Sequence, residues 1–500
     1  MSALQPLIAR DVSKAYADRV VLTGIDLVAT PGQPLGLVGE NGAGKSTLIR
    51  LLVGAEAADG GTVVRPTDLG YVSQELDLPL SWTVADVLAD ALAPLHEAVR
   101  RLEPLAAQLD DPAHPDASTD YAETLEWATH HEAWDADRRA EVAAIRLGLD
   151  RLPADRPVGQ MSGGERTRLA LAALITRRPE CVVLDEPTNH LDDAAMTFVE
   201  EFLLELPGVV VVASHDRVFL DRVASVIVDL DASHLGTDGE GGRRFSGDFT
   251  TYLMHKRDAQ RRWQEAFEAQ RDELGELRRT TRTTARQVAH NRPARDNDKF
   301  IYNMKRANVQ ATVSRRVRNV EQRIATIERE LVPKPPTAME FGHRLTGSDP
   351  TSGWVRVRDV EVDGRLRIGR LDVPPGDHLL VVGANGSGKS TLLHLLAGRI
   401  VACRGHVQVS AQQVAYLPQD VPFLRPGRSA RVTYADATGE KATPLHELGL
   451  IHGRDLSRPS GISASGSSGG WRWRSSSRSS LTSCCWTSPR TTSRSPWPPT

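Results

Sequence analysis

The sequence predicts an α/β protein in which two copies of a phosphate-loop domain are joined by an α-helical hairpin, the second copy being truncated. Two observations carry this prediction. The nonapeptide GENGAGKST at 39–47 recurs as GANGSGKST at 383–391, and further blocks recur on both sides in the same register, which indicates duplicated domains. The segment between the copies has no counterpart in either copy, and its apolar residues follow helical spacing.

Composition and charge exclude several classes of protein. The 500 residues include 61 Lys and Arg against 64 Asp and Glu, a net charge of −3, which excludes a globally basic nucleic-acid coat and an acidic disordered chain. No apolar run approaches the roughly 18 residues of a membrane span, and the first residues lack the apolar core of a secretory signal. The four cysteines show no zinc spacing. We therefore expect a soluble cytoplasmic protein.

Each copy contains the strand, glycine-rich loop and helix that a phosphate site requires. The apolar runs 35–38 and 379–382 predict strands that lead into the loops. Glycines let backbone N–H groups turn toward phosphate oxygens, and the helix that follows adds its positive end. A lysine reaches the β- and γ-phosphates and a serine hydroxyl binds Mg²⁺. The predicted nucleotide-binding residues are Gly39, Asn41, Gly42, Gly44, Lys45, Ser46, Thr47, Gly383, Asn385, Gly386, Gly388, Lys389, Ser390 and Thr391, with Ser46 and Ser390 as magnesium ligands.

The first copy also carries residue types that suit nucleotide hydrolysis. A buried strand predicted at 182–186 ends in two carboxylates. Asp185 can hold the metal through water, and Glu186 can polarise the attacking water. A second buried strand, 209–213, leads into Ser-His-Asp, where His215 can sense the γ-phosphate or serve only as a turn histidine. Its order after the other motifs favours the functional interpretation.

The strings GENGAGKST, MSGGERTRLALA, VVLDEPTNHLD and SHD together resemble an ATP-binding cassette domain, over 7–230 and in part over 354–460. Two such domains without a membrane span resemble the ABC-F subfamily. The resemblance implies ATP and Mg²⁺ as cofactors and a monomer in which each ATP lies between the phosphate loop of one cassette and the signature of the other. It further implies roles for the signature residues Ser162, Gly163, Gly164 and Glu165, for Gln74 in catalysis and at the metal, for Gln419 at the nucleotide, for Asp192, and for Tyr16 stacking on adenine rather than lying in the core.

The segment between the copies predicts an antiparallel helical hairpin with a basic end. Apolar residues at 309–331 step by three and four, and those at 263–277 supply a facing seam. Residues 278–318 hold 12 Lys and Arg against 2 acids, a segregation that favours a polyanion such as structured RNA over a merely solvated face. The candidate RNA contacts are Arg292, Arg295, Lys299, Lys305, Arg306, Arg315 and Arg316.

This segment resembles ABC-F interdomain linkers, which implies the ribosome, through its rRNA and tRNA, as the partner. Members of that subfamily act as translation factors or protect ribosomes from antibiotics, and the sequence does not choose between these roles. The ATPase component of a membrane exporter and the inactive product of a damaged gene stay open as alternatives.

The final 41 residues, 460–500, do not continue the second copy. They hold 14 Ser, 5 Arg and 4 Trp, and no Asp, Glu or Lys, so we expect them to be disordered and unable to complete a parallel sheet. Reverse translation with GC-rich codons, shifted by one base, returns LGVGQQRRLALA and then VLLLDEPANHL. A one-base deletion near codon 460 explains both strings. It also predicts impaired hydrolysis, since the second copy then lacks a signature and an Asp-Glu pair.

The predicted organisation has four parts. They are a first cassette at 5–245 with a helical arm insertion at about 85–150, the basic hairpin linker at 246–336, a partial second cassette at 350–459, and the aberrant tail at 460–500.

Overall fold

The computed structural model divides the chain into two compact units. One unit comprises Met1–Asp231, Ser246–Thr250 and Met339–Thr500, and the other Ala232–Phe245 and Thr251–Ala338. The structure describes residues 4–16, 19–40, 42–73, 78–110, 113–231, 243–288, 315, 317–335, 353–411, 414–418, 427–438, 444–448, 451, 453, 456–457 and 483–486. Here "first domain" means 5–245 and "second domain" means 350–500.

The first domain is built on parallel strands in the order β5-β6-β7-β3-β8. A smaller antiparallel sheet has the order β2-β1-β4. Every residue of β3, β6, β7 and β8 is buried, as expected for parallel strands covered on both faces. The strands are β1 (Leu7–Tyr16), β2 (Arg19–Ala29), β3 (Leu35–Val38), β4 (Gly60–Val64), β5 (Leu69–Val72), β6 (Cys181–Asp185), β7 (Val209–Ala213), β8 (Val226–Asp229) and β9 (Arg244–Ser246).

Seven α-helices surround these strands in the described part of the first domain. They are α1 (Lys45–Val53), α2 (Val84–Ala107), α3 (Ala117–His130), α4 (Ala136–Arg146), α5 (Gly163–Arg177), α6 (Asp193–Glu205) and α7 (Arg217–Val223), with short 3-10 helices at Ala133–Asp135 and Val158–Gln160. Helices α2 to α4 form the insertion, which confirms its predicted helical character. The strands predicted at 35–38, 182–186 and 209–213 are also confirmed as β3, β6 and β7.

A buried histidine ties the insertion to the sheet. The side chain of His131 is 1% exposed, and its Nε2 lies 2.7 Å from Asp68 Oδ2 while its Nδ1 lies 2.8 Å from the Trp127 carbonyl oxygen. Arg177 Nη2 donates to the other Asp68 oxygen at 2.6 Å. Burial opposes ionisation of Asp68, but the hydrogen bonds from His131 and the Glu180 N–H outweigh it and lower the pKa of Asp68.

The second unit contains the predicted antiparallel hairpin. Helix α8 (Phe249–Val288) runs against helix α9, residues 317–329. Trp263 Nε1 donates to the Pro333 carbonyl at 2.9 Å, and Arg278 Nη2 lies 2.8 Å from Glu328 Oε1. Residues late in α8 thus meet residues earlier in the second arm, as antiparallel packing requires. Of the seven candidate RNA contacts only Arg315 lies within the described residues, where it is exposed.

The second domain repeats part of the first. An antiparallel sheet has the order β11-β10-β12, and β13 pairs in parallel with β14. The elements are β10 (Trp354–Val362), β11 (Leu366–Val373), α10 (Lys389–Leu396), β12 (Arg404–Ser410), β13 (Val414–Leu417), α11 (Ala430–Thr438), a 3-10 helix at Leu445–Leu448 and β14 (Ser483–Trp486).

Two predictions for the second domain are wrong. Residues 379–382 form no strand, and Leu380 and Val382 are 83% and 77% exposed. The reason is that β7 and β8, which flank the equivalent β3, have no counterpart among the described residues of the second domain. Conversely, the tail does contribute a strand, because β14 pairs with β13. A parallel ladder is made by backbone groups and does not require apolar side chains.

Candidate nucleotide site

The first phosphate loop, 39–47 and here called the first P loop, leads from β3 into α1. Gly44 caps α1 with φ 103°, and a Cβ there would lie 2.7 Å from Leu22 Cδ2, so only glycine fits. The Lys45 ammonium donates to the Gly39 carbonyl at 2.7 Å and the Glu40 carbonyl at 3.3 Å. Lys45 is 8% exposed, and burial lowers its pKa although the Glu186 carboxylate opposes this. An anion in the loop would compete for this ammonium.

Two carboxylates at the end of β6 face the loop. Asp185 is 4% exposed and hydrogen-bonds the Ser46 hydroxyl, while burial raises its pKa. Glu186 follows with φ 54°, a left-handed conformation that a non-glycine residue adopts only when its surroundings impose it. Its N–H donates to the Ala213 carbonyl at 2.8 Å. The ladder between β6 and β7 therefore continues past Asp185 and fixes where Glu186 points.

Glu186 has the properties of a general base. Burial raises its pKa to about 7, despite the attraction of Lys45. Its Oε2 accepts the His215 N–H at 3.4 Å, whereas its Oε1 is buried and accepts no hydrogen bond from the described residues. His215 Nε2 lies 3.5 Å from this oxygen, and a water bound beside both groups would complete its hydrogen bonding. A carboxylate with a pKa near neutrality can take a proton from such a water.

His215 is held neutral beside this base. Burial and the Lys45 charge lower the pKa of His215 to about 4, and its Nε2 lies 3.5 Å from Glu186 Oε1. A neutral imidazole can donate one hydrogen bond without adding a charge. This arrangement is compatible with the predicted role in sensing a terminal phosphate.

Ser46 and Asp185 fit a magnesium site. Mg²⁺ prefers oxygen ligands, keeps several waters, and is held through one or two carboxylates together with substrate phosphates. The hydroxyl and the buried carboxylate already meet each other, so both donors converge on one point beside the P loop. No group of three or more His, Cys, Asp or Glu able to hold a metal occurs among the described residues.

The signature turn, 161–165, begins helix α5. The Ser162 side chain accepts the Glu165 N–H and the Glu165 side chain accepts the Ser162 N–H, a reciprocal cap. Nothing lies within 4 Å of a Cβ placed on Gly163, whereas one on Gly164 would lie 2.9 Å from His190 Cβ. The turn thus presents an open backbone at Gly163 and packs at Gly164 against the loop after β6.

The second phosphate loop, 383–391 and here called the second P loop, contacts the first domain at this same place. Asn385 N donates to Asp192 Oδ2 at 3.0 Å, and Asn385 Nδ2 donates to the His190 carbonyl at 2.8 Å. Lys389 Nζ donates to the Gly383 carbonyl at 2.6 Å, as Lys45 does in the first loop. The structure therefore brings Asp192, the signature turn and the second P loop together.

Other predicted residues fall into two groups. Tyr16 is 40% exposed, and its hydroxyl donates to Glu56 Oε2 at 2.7 Å, so it is not a core residue, and adenine stacking stays a prediction. Asn41, Gln74, Gln419, Arg292, Arg295, Lys299, Lys305, Arg306 and Arg316 lie outside the described residues.

Sequence reasoning missed Asp231, just after β8. Its Oδ1 accepts the Glu40 N–H at 2.6 Å, and its charge acts on both Lys45 and His215. Since Glu40 and Asp231 are 191 residues apart, no local motif could indicate this contact. The only signal that the sequence offers is a pair of aspartates, Asp229 at the end of β8 and Asp231 two residues later.

Comparison with known proteins agrees with this geometry. A family model described as ABC transporter matches residues 22–189 and 366–483, together more than half of the chain. The tylosin resistance ATP-binding protein TlrC of Streptomyces fradiae is 38% identical over 421 residues, which cover 82% of this chain and 75% of TlrC.

Two further relatives extend the comparison. The energy-dependent translational throttle protein EttA of Mycobacterium tuberculosis (strain H37Rv) is 28% identical over 483 residues, which cover 91% of this chain and 78% of EttA. Human ATP-binding cassette sub-family F member 3 is 33% identical over 401 residues, which cover 79% of this chain and 51% of that protein.

Proposed function

Because this chain belongs to the ATP-binding cassette family, and within it to the ABC-F subfamily, we propose that it is an ATP-hydrolysing protein that acts on the ribosome. Its role there is in translation or in antibiotic resistance. The observation that carries the proposal is the similarity to TlrC across 82% of the chain. The arrangement of Lys45, Asp185 and Glu186 around the first P loop supports it.

Each of these residues of the first domain has its own role in the proposed hydrolysis. The Lys45 ammonium leaves the Gly39 carbonyl and binds the β- and γ-phosphates. Ser46 and Asp185 would hold Mg²⁺, which would supply positive charge to neutralise the charge developing on the phosphates. Glu186 takes a proton from the water that attacks the γ-phosphate, and neutral His215 donates a hydrogen bond to that phosphate. Tyr16, exposed beside α1, stacks on the adenine.

The second P loop lacks such a set. Strand β14 pairs with β13 as β6 pairs with β5, with Ser483 at the place of Cys181 and Trp486 at the place of Leu184. In the sequence, the two residues that follow β14 are Thr487 and Ser488, whereas Asp185 and Glu186 follow Leu184. Neither hydroxyl can act as a base at neutral pH. We therefore propose that ATP at the second P loop is bound without turnover and that overall hydrolysis is reduced. Sequencing the DNA across codons 450–500 tests the proposed one-base deletion directly.

The linker supplies the ribosome contact. Its basic stretch makes salt-dependent contacts to RNA phosphates. In the part of the chain that the structure describes, no helix is long and apolar enough to cross a bilayer. From the similarity to ABC-F relatives we propose that the protein is cytoplasmic and monomeric, with its two cassettes pairing within one chain.

Sedimentation of ribosomes through a sucrose cushion tests this function. The Glu186→Gln chain keeps its ATP and is expected in the ribosome pellet with ATP and in the supernatant with ADP. Lys45→Ala should stay in the supernatant with either nucleotide, and the surface control Glu141→Gln should behave as the unchanged chain. Retention by isolated membranes instead of ribosomes would favour the exporter alternative and contradict the proposal.

A further inference from the structure

Charged groups from helix α1 and from the turn that follows it hold the hydroxyl end of the Tyr16 ring. The hydroxyl donates to Glu56 Oε2 at 2.7 Å and accepts from Arg50 Nη2 at 3.4 Å. Arg50 Nε donates to the same Glu56 oxygen at 3.3 Å. The hydrogen bond from the Tyr16 hydroxyl is the main reason that the pKa of Glu56 lies below its ordinary value. The acceptor that fixes the ring is thus a carboxylate.

A lysine fixes the ring from one of its faces. Lys14 Nζ lies over the Tyr16 ring, 5.5 Å from its centroid, which is within the range of a cation–π contact. This ammonium donates to the Ala57 carbonyl at 2.8 Å and to Asp59 Oδ1 at 3.1 Å, and it lies 3.3 Å from Glu56 Oε1. Its side chain is 12% exposed, whereas Tyr16 is 40% exposed. A flat ligand must therefore approach the face of the ring that is turned away from Lys14.

The same helix connects this ring to the first P loop. Helix α1 begins at Lys45, within the loop, and carries Arg50 in its last turn. Arg50 Nη2 lies 3.4 Å from Thr47 Oγ1, as it does from the Tyr16 hydroxyl. One guanidinium nitrogen thus bridges the P loop and the exposed aromatic ring. A nucleotide whose phosphates occupy the loop brings its base to the same end of the domain.

A fixed ring binds a flat ligand better than a free one does. A side chain without partners distributes over up to three staggered χ1 wells, and only the fraction in the binding-competent well contributes to affinity. Lys14, Glu56 and Arg50 together hold Tyr16 in one orientation. Stacking uses the face of the ring and the face of the base. The charged groups therefore act on the ring rather than on the ligand.

We infer that Glu56 and Lys14 are positioning residues for nucleotide binding, which hold Tyr16 in the orientation that stacks on a purine base. The inference rests on the proposed binding of ATP at the first P loop. It divides the affinity for ATP into two parts that can be measured separately. Lys45 and Ser46 supply the phosphate part, and the clamped ring of Tyr16 supplies the base part.

Calorimetry of full-length variants with ATP and with inorganic tripolyphosphate tests this division. Each variant is made in a parent that carries Glu186→Gln and Lys389→Ala, so that ATP is not consumed and binds only at the first P loop. The parent should bind ATP roughly five- to a hundredfold more tightly than tripolyphosphate, which has no base to stack. Tyr16→Ala should abolish that difference. Glu56→Ala and Lys14→Met should each weaken ATP by about threefold and leave tripolyphosphate unaltered.

Matched variants separate positioning from a general effect on the fold. Tyr16→Phe keeps the ring and loses only the hydroxyl, so it should weaken ATP as Glu56→Ala does. Glu56→Gln keeps an oxygen that can accept the Tyr16 hydroxyl and should recover most of the loss. Once Tyr16 is alanine, adding Glu56→Ala should cost no further affinity, because the ring that it positions is gone. Glu141→Ala, at an exposed position on α4, is the control for removing a carboxylate.

The results distinguish this inference from the proposed function. If Glu56→Ala weakens ATP and tripolyphosphate equally, or leaves ATP affinity unaltered, the inference is overturned while the ATP-binding function of the parent stands. A further loss from Glu56→Ala in the Tyr16→Ala chain would also overturn it. A parent that binds neither ligand would contradict the proposed function itself. A loss that is confined to ATP and disappears in the Tyr16→Ala chain would establish the positioning role.

Discussion

Replacing Glu186 by glutamine in the nucleotide-free chain should stabilise the first domain in a pH-dependent manner. The carboxyl group has an ordinary pKa of 4.5 and a folded-state pKa of about 7, raised by burial. At pH values between these two pKa values, the folded chain therefore keeps the carboxyl proton, whereas the unfolded chain has lost it. Stability from this group is fully present below pH 4.5 and is lost as the pH rises to 7. Glutamine has a similar shape and does not titrate.

The size of the effect follows from the shift. Each pKa unit corresponds to 1.36 kcal/mol, so ionising Glu186 in the folded state costs about 3 kcal/mol above pH 7. At pH 5 the same relation gives a cost of about 1 kcal/mol, because pH 5 lies only a little above the unfolded-state pKa of this carboxyl group. The unfolding free energy of Glu186→Gln minus that of the unchanged chain should thus increase by roughly 2 kcal/mol between pH 5 and pH 8.

Urea unfolding followed by circular dichroism at both pH values measures this difference. Glu141→Gln removes the same charge from an exposed position on α4, and its difference should stay within about 0.5 kcal/mol at both pH values. A Glu186→Gln difference that is equal at pH 5 and pH 8, or that decreases with pH, would refute the assignment of a raised pKa to this base.

Three further predictions concern the buried His131, the first P loop and the basic linker. His131→Phe keeps a planar ring but loses both polar contacts, and should lower the unfolding free energy by about 1–3 kcal/mol, with hydrogen exchange increasing in α2 to α4. Gly44→Ala should abolish ATP binding in a calorimeter, since φ is 103° and the new Cβ would overlap a leucine methyl, whereas Gly275→Ala, an open helical position, should stabilise α8 by roughly 0.5–1 kcal/mol. Replacing Arg292 and Arg295 by alanine should weaken ribosome binding and reduce its salt dependence by about one charge each; an unchanged salt slope would show that these side chains do not touch RNA.

Much of the structure of the first domain could be predicted from the sequence, because the sequence patterns that specify it are local. The P loop, the strand before Asp185 and the capped start of α5 are each specified within about ten consecutive residues. The hairpin stalk follows from three-and-four spacing of apolar residues, as Ile327 and Trp263 illustrate by being buried. Local patterns of this kind depend on backbone geometry alone.

Other features depend on partners far along the chain. Leu380 lies in an apolar run that predicts a buried strand. It is exposed because the strands that flank β3 have no counterpart among the described residues of the second domain. The left-handed Glu186 donates its N–H to the distant Ala213 carbonyl, and the Glu40 N–H at the start of the first P loop is held by Asp231. Strand β14 forms in a segment whose composition indicates none, because a ladder needs backbone partners more than apolar side chains.

The most direct measurement is phosphate release from ATP by the full chain with and without ribosomes. The account predicts that ribosomes increase hydrolysis by the unchanged chain and that Glu186→Gln abolishes it under both conditions, while Glu141→Gln leaves it unaltered. Hydrolysis that persists in Glu186→Gln would contradict the assignment of this carboxylate as the base. Hydrolysis that ribosomes leave unaltered would contradict the ribosome as the partner.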